Sequence, residues 1–532
     1  MPRSEDTTTR EQREQRSSRS LAHPRVRQLF GIDLRSLAAL RIGLGLSVLV
    51  SLFVRAPEIE ALYSDAGVLP RSAGGTMTLY ALSGSAAFVG AMFAVAAIFA
   101  LMLVIGYQTR IATIASWFLT ASLDARNPLV AHGGDAVLIL LLFWGIFLPL
   151  GARASVDART GRVGAGVPGV ALSVGTLAFL MQLVFIYVFS GLLKDFGHWV
   201  TGRTAVYEAL NLDQLTRSAG TALLGYPGLV KAMSPFIYFV EVCGPLLAFV
   251  PVWSAGFRTI TIVLFVGFHV VILVLFNFPL FPLFCIVGWL AFLPAQFWDR
   301  LARLRLARAV AGGWARLVDW ISGGIAALGR SRPWVLAPRL EREASPVWNR
   351  IAAALLLLAL FANVASLAPA HPLSRATRKL ATDLYVGQRW GMFAPVPARD
   401  DGWWIAPATL RDGTEIDLAN GGSPVVWDRP ESIGDTYPSQ RWFKFLDKVW
   451  RKERHRGKVR HYGEWLRYDW NRRHDPSRHV ESMQIYFMLE ATQPDYKPPL
   501  LGKVMLYQWA GEGTERIVPL QESLRRTVWL EK

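Results

Sequence analysis

The sequence predicts an all-α polytopic membrane domain of about nine transmembrane helices, followed by a small α+β extracytoplasmic domain. Three observations predict it. Hydrophobic residues make up 52% of a 532-residue chain, and mean hydropathy is +0.28. The apolar residues fall in runs of roughly 20, the length that crosses a bilayer. Lysine and arginine gather in alternate loops between those runs, as cytoplasmic loops do.

Taken in order, residues 1–28 are polar and arginine-rich, with no apolar core before a small-residue cleavage site. They read as a disordered basic cytoplasmic arm rather than a signal peptide. The membrane domain is expected over 29–297, with apolar spans near 34–54, 84–106, 110–123, 134–150, 170–193, 232–253, 258–276 and 279–297. The third is short and ends at Asp124 and Arg126, so whether it crosses fully stays open. Prolines at 279 and 282 demand a sharp turn before the eighth. Residues 298–349 interleave arginine with Trp298, Leu301, Leu304, Trp314, Leu317, Trp320 and Ile321, the pattern of an amphipathic surface segment that meets anionic lipid. A last span at 350–369 leads to a soluble domain, 370–532. With the N-terminus inside, Arg110, Arg153, Arg159, Arg162 and Arg258 fall in inner loops, and Glu58, Glu60 and Asp65 in an outer one. That assignment places the tail on the extracytoplasmic side. Strand-like pieces (403–406, 485–489, 504–509), Gly-rich turns and a basic, aromatic helical stretch (440–474) make the tail α+β.

Composition also excludes function classes. The net charge of +17 lies beside apolar runs, which speaks for membrane lipid and against nucleic acid as a partner. Both cysteines, Cys243 and Cys285, lie in apolar segments, so the tail has no disulfide and no cysteine metal site. The histidines form no His-x-x-x-His or His-Glu-x-x-His pattern in the spans, and no metal is expected. Phosphate-cradling and nucleophile-elbow motifs are absent from the sequence.

What remains is a set of ionisable residues in or beside the membrane: Arg41, Glu241, His269 and, above all, Lys194. The run Tyr187-Val-Phe-Ser-Gly-Leu-Leu-Lys194-Asp-Phe-Gly-His198-Trp199 ends an apolar span on a single lysine. Such a lysine is either an interfacial anchor or a base, because burial can leave an amine neutral near pH 7.

Several motifs carry a resemblance. Arg41-Ile-Gly-Leu-Gly, Tyr63-Ser-Asp-Ala-Gly-Val-Leu-Pro70, Arg126-Asn-Pro128 with Gly133-Gly-Asp135, Phe143-Trp-Gly-Ile-Phe-Leu-Pro149, the Lys194 junction and Phe268-His269 resemble the HTTM family. That is the membrane domain shared with vitamin K-dependent gamma-carboxylase. Gln388-Arg-Trp-Gly-Met-Phe-Ala-Pro395 and Asp401-Gly-Trp403 resemble bacterial members. The resemblance implies a lyase-type, carboxylase-like membrane enzyme using reduced vitamin K or menaquinol. Lys194 would be the catalytic base, and His132 and His269 would be further catalytic candidates. Phe185, Tyr187, Phe189 and Trp199 would wall the quinol pocket. The implied partners are a lipid-soluble quinol and an unidentified protein substrate, although the tail has no counterpart to the carboxylase's propeptide-gripping region. The reading left beside it is a non-catalytic membrane protein binding lipid or a protein partner.

Overall fold

The computed structural model describes residues 24–73, 78–160, 169–329, 345–494 and 496–530. Most of the expected arm, residues 1–23, lies outside them. Its last residues are not an extension of an arm: Pro24–Phe30 forms a helix, which proline at the first position favours, and the Arg258 guanidinium holds its end through the Leu29 and Gly31 carbonyls.

Six helices are long and apolar enough to cross a membrane: Leu34–Tyr63, Ala86–Ile105, Val174–Leu192, Pro227–Phe249, Ser254–Leu275 and Pro346–Leu367. A seventh span follows if the bent pair Leu280–Phe292 and Ala295–Leu301, which meet at 98°, counts as one. The chain is thus a multi-pass membrane protein, with fewer long apolar helices among the described residues than the nine expected. The difference has a physical cause. Thr109–Arg126 carries Thr, Ser and Asp along its length. Gly133–Gly145 has 13 residues and is buried along nearly all of them. A helix wrapped by protein needs neither the length nor the apolar surface that lipid demands. The break in the bent pair falls at Pro294, which cannot continue a helix.

We label the helices used below α1 (Leu34–Arg55), α2 (Thr109–Arg126), α3 (Gly133–Gly145), α4 (Val174–Leu192), α5 (Pro227–Cys243) and α6 (Ser254–Leu275). Their connections gather at two ends. At one end Asn277 donates to Leu215, Arg126 to Leu69 and Ser64, and Asn127 to Leu62. This brings the turn-rich loops at 63–71 and 124–135 together. At the other end Arg41 donates to the carbonyls of Leu150, Arg153 and Ala154 at 2.7–3.2 Å. Arg41 is therefore a backbone clamp far from Lys194. Helix α7 (Arg305–Gly329) lies at that second end, tied by Trp314 to the Ala154 carbonyl at 2.9 Å. Its Leu306, Val310, Leu317 and Trp320 remain exposed as an apolar face, the amphipathic form expected of this segment. Residues 330–344 lie outside the described residues.

The tail is built on a seven-stranded sheet, antiparallel at every pairing. Its long central strands, Val480–Ala491 and Leu500–Trp509, alternate buried and half-buried residues through their middles. Helix α8 (Gln440–Arg451) buries Trp442, Phe443, Phe445, Leu446, Val449 and Trp450. Trp450 packs on strand residue Phe487 at 4.3 Å between rings. The tail sits on the first end of the helical bundle. The Gln388 and Gln182 amides pair reciprocally at 2.6 and 3.0 Å, and Trp144 donates to the same Gln182 oxygen. The Asp195 amide donates to the Pro395 carbonyl at 2.8 Å.

Candidate functional site

Helix α4 is capped by Ser173 and runs apolar to Leu192, and Lys194 follows where the helix unwinds. Lys194 stands four residues after Ser190, one helical turn on, and its Nζ donates to Ser190 Oγ at 2.9 Å. It also donates to Glu241 Oε2 on α5, and it lies over the Trp199 ring at 4.8 Å. Both members of the ion pair are nearly closed to solvent, with side chains 2% and 8% exposed. Glycine makes the pairing possible: a Cβ at Gly191 would come within 2.5 Å of Val242, so the two helices meet only because none is there. Taking two charges out of water costs several kcal/mol, and the attraction between them offsets that cost only while both are present.

This pair forms one wall of a cavity of about 1010 Å³. Tyr187, Trp199 and His132 also line it. Its flank between α5 and α6 is apolar: Phe236, Ile237, Val263, Phe268, Val271 and Ile272. Phe236, Val263 and Val271 are also 59%, 66% and 47% exposed on the outside of the bundle, so the cavity opens sideways between these helices. Its roof comes from the tail, from Arg389, Met392 and Phe393 and from Gln440, Phe443, Lys444, Asp447 and Arg451.

The remaining predicted residues divide. His132 caps α3: its Nδ1 accepts from the Gly134 amide at 3.0 Å, and Asp135 accepts from the His132 amide in return. We therefore assign the imidazole proton to Nε2, which is buried with no hydrogen-bond partner among the described residues. Burial pushes the His132 imidazole down to about 3, against the pull of Asp135, so it is neutral at physiological pH. His269 is fully buried and does not line the cavity. It joins the cavity indirectly: Trp289 donates to the Tyr187 hydroxyl at 2.9 Å, and that hydroxyl pairs with His269 Nε2 at 2.7 Å.

Phe185 and Phe189 correct the expected pocket wall. They pack on each other at 5.8 Å and do not line the cavity. The helical period explains why: residues two positions from Tyr187 point about 200° away from it.

Sequence reasoning missed the roof and the cluster beneath it. Arg441 of α8 enters the bundle and grips Asp135 with two bonds of 3.0 Å, and Arg55 of α1 reaches the same carboxylate at 2.7 Å. All three side chains are 1–2% exposed. Lys448 adds bonds to the Pro128 and Ala131 carbonyls at 2.7 and 2.9 Å. Burial pulls its ammonium down to about 8, which the charge of Asp124 opposes. The Gly133-Gly-Asp135 motif and the basic, aromatic stretch at 440–474 were both visible in sequence, but nothing in their spacing joins positions 306 residues apart.

No family model, curated protein or solved structure matches this chain. Among the described residues no group of three or more His, Cys, Asp or Glu is placed to hold a metal ion.

Proposed function

We propose that this is a membrane enzyme of HTTM type in which Lys194 acts as base toward a hydroxyl of a lipid-soluble hydroquinone, reduced vitamin K or menaquinol. In this reading the chain crosses the membrane nine times, with its N-terminus cytoplasmic and its tail extracytoplasmic. Thr109–Arg126 and Gly133–Gly145 are then two of the crossings, shielded by their neighbours. The observation that carries the proposal is the Lys194–Glu241 pair on the wall of a cavity that opens between α5 and α6. A ligand dissolved in the bilayer has its entrance there, and its polar ring would meet the only lysine–carboxylate pair lining the cavity among the described residues.

The residues fit such a ligand. The cavity is at the upper end of the usual range of small-molecule sites, about 300–1,000 Å³. The α5–α6 flank suits an isoprenoid chain. As base, Lys194 takes the proton of the incoming hydroxyl, and Ser190 and Trp199 hold its direction. When bound, the hydroquinone would be oxidised by oxygen and so supply the strong base for removing a carbon-bound proton, and carboxylation of an unidentified protein substrate is the outcome the resemblance implies.

The test uses purified protein in lipid with reduced vitamin K and oxygen, following epoxide in the native chain beside Lys194→Ala. Epoxide from the native chain alone supports the proposal, and equal epoxide from both overturns it. A second reading rests on a specific observation: all three ammonium hydrogens of Lys194 have a taker in Ser190, Glu241 or the Trp199 face. That is the arrangement of a structural pair in a protein that binds lipid or a partner without chemistry. Absence of epoxide from both chains, each folded, selects this reading.

A further inference from the structure

The cavity is charged at one end and apolar at the other, and the charges do not balance. Four cations line it, Lys194, Arg389, Lys444 and Arg451, against two carboxylates, Glu241 and Asp447. Glu241 is taken by Lys194. Arg451 binds Asp447 at 2.5 Å and also Asp400. Arg389 and Lys444 are left with no carboxylate within ion-pair distance among the described residues, and Lys444 rests on the Phe443 ring at 4.8 Å. Burial lowers the Lys444 ammonium from its ordinary value, although Asp447 opposes the shift. Lys444 is half-buried and Arg389 exposed at the edge of the cavity, and two cations without a counter-ion beside a cavity are a receptor for an anion.

We infer that the cavity is a binding site for a single-chain acidic amphiphile, whose anionic head is held under the roof by Arg389 and Lys444 and whose hydrocarbon chain leaves between α5 and α6 past Phe236, Val263 and Val271. The two halves of the site match the two halves of such a molecule. The side opening faces the hydrocarbon of the bilayer, so the chain need never enter water. A peptide carboxylate would satisfy the roof but would leave the apolar exit unfilled. The inference shares the cavity and side opening proposed for the quinol but not its chemistry, because neither Arg389 nor Lys444 touches the Lys194–Glu241 pair by any bond among the described residues.

The experiment uses the full chain in detergent and a photoactivatable palmitic acid carrying a diazirine near the chain end. The expected result is labelling within residues 227–275, displaced by palmitic acid. Hexadecanol, with the same chain and no charge, should displace it at least about tenfold less well, the contribution of one charge-assisted hydrogen bond. In the double variant Arg389→Gln, Lys444→Gln the acid should lose its preference over the alcohol. The charge-keeping pair Arg389→Lys, Lys444→Arg should retain the preference, which separates loss of charge from loss of fold. Equal displacement by acid and alcohol in the native chain overturns the inference. So does labelling outside 227–275, or a preference that survives both glutamines or is lost in the charge-keeping pair. Displacement by inorganic phosphate alone would assign the roof to a small soluble anion and overturn it as well.

Discussion

Two buried ion groups lie within one end of this molecule, and they are built to opposite plans. Asp135 is gripped by Arg55 and twice by Arg441, with every carboxylate oxygen engaged by a guanidinium. The group joins α1, α3 and the tail helix α8, so it can dissolve only if three elements move. Glu241 meets one ammonium, on a cavity wall, beside a serine and an aromatic face. A bidentate guanidinium grip has a fixed geometry, whereas an ammonium is a point charge that can turn toward another partner. The contrast teaches that burial alone does not mark a reactive group. What marks it is burial together with adjacent empty space and a replaceable partner.

Substitutions can break or sharpen that contrast. The largest effect expected is on chemistry: Lys194→Ala should lower hydroquinone turnover by about 10²–10⁴-fold, the usual value of a positioned base, with the tail still docked. Turnover assays beside limited proteolysis would show both. Arg441→Ala should do the reverse in kind. Removing one partner from a buried ion group costs about 3–5 kcal/mol, so the tail should loosen and protease should cut between 370 and 440 at lower denaturant. If Lys194→Ala loosens the tail as much as Arg441→Ala does, the two groups are not distinct.

A third prediction concerns acid. The folded state holds the His132 imidazole at about 3, well below the ordinary value of about 6.5. Between those values the unfolded chain binds a proton that the folded chain refuses, so stability contributed by His132 is complete above about pH 6.5 and is lost as pH falls toward 3. His132→Asn keeps a capping side chain and should flatten that part of the pH profile, as measured by denaturant midpoints at a series of pH values. The smallest effect expected is that of Gly191→Ala. The added Cβ would force α4 and α5 apart at Val242, at a typical overpacking cost of about 1–3 kcal/mol. Turnover should fall while the Asp135 cluster and tail docking stay intact.

Much of the framework could be read from the residues. Apolar runs located the helices, because hydropathy acts over a whole segment and survives small boundary errors. Lys194 was conspicuous as one charge ending an apolar run, and Glu241 as one carboxylate inside another, yet their pairing was not visible, since it depends on Gly191 allowing two helices to touch. Six of the nine expected spans are long apolar helices, and the others differ for a related reason. Gly133–Gly145 is as hydrophobic as a lipid-facing span, and only its neighbours reveal that it is a core helix. Phe185 and Phe189 were drawn into the pocket by closeness in sequence, where helical phase turns them away. The cavity roof was out of reach altogether, because it joins the bundle to residues more than a hundred positions later.

That roof has a consequence for how the protein is made. Residues 388–393 and 440–451 leave the ribosome after every membrane helix that walls the cavity. Through most of synthesis the Lys194–Glu241 pair therefore faces an unroofed vestibule, and neither the cationic ceiling nor the Asp135 clamp exists. The chamber is completed by the final third of the polypeptide, so the membrane helices that wall it are made before it has a roof.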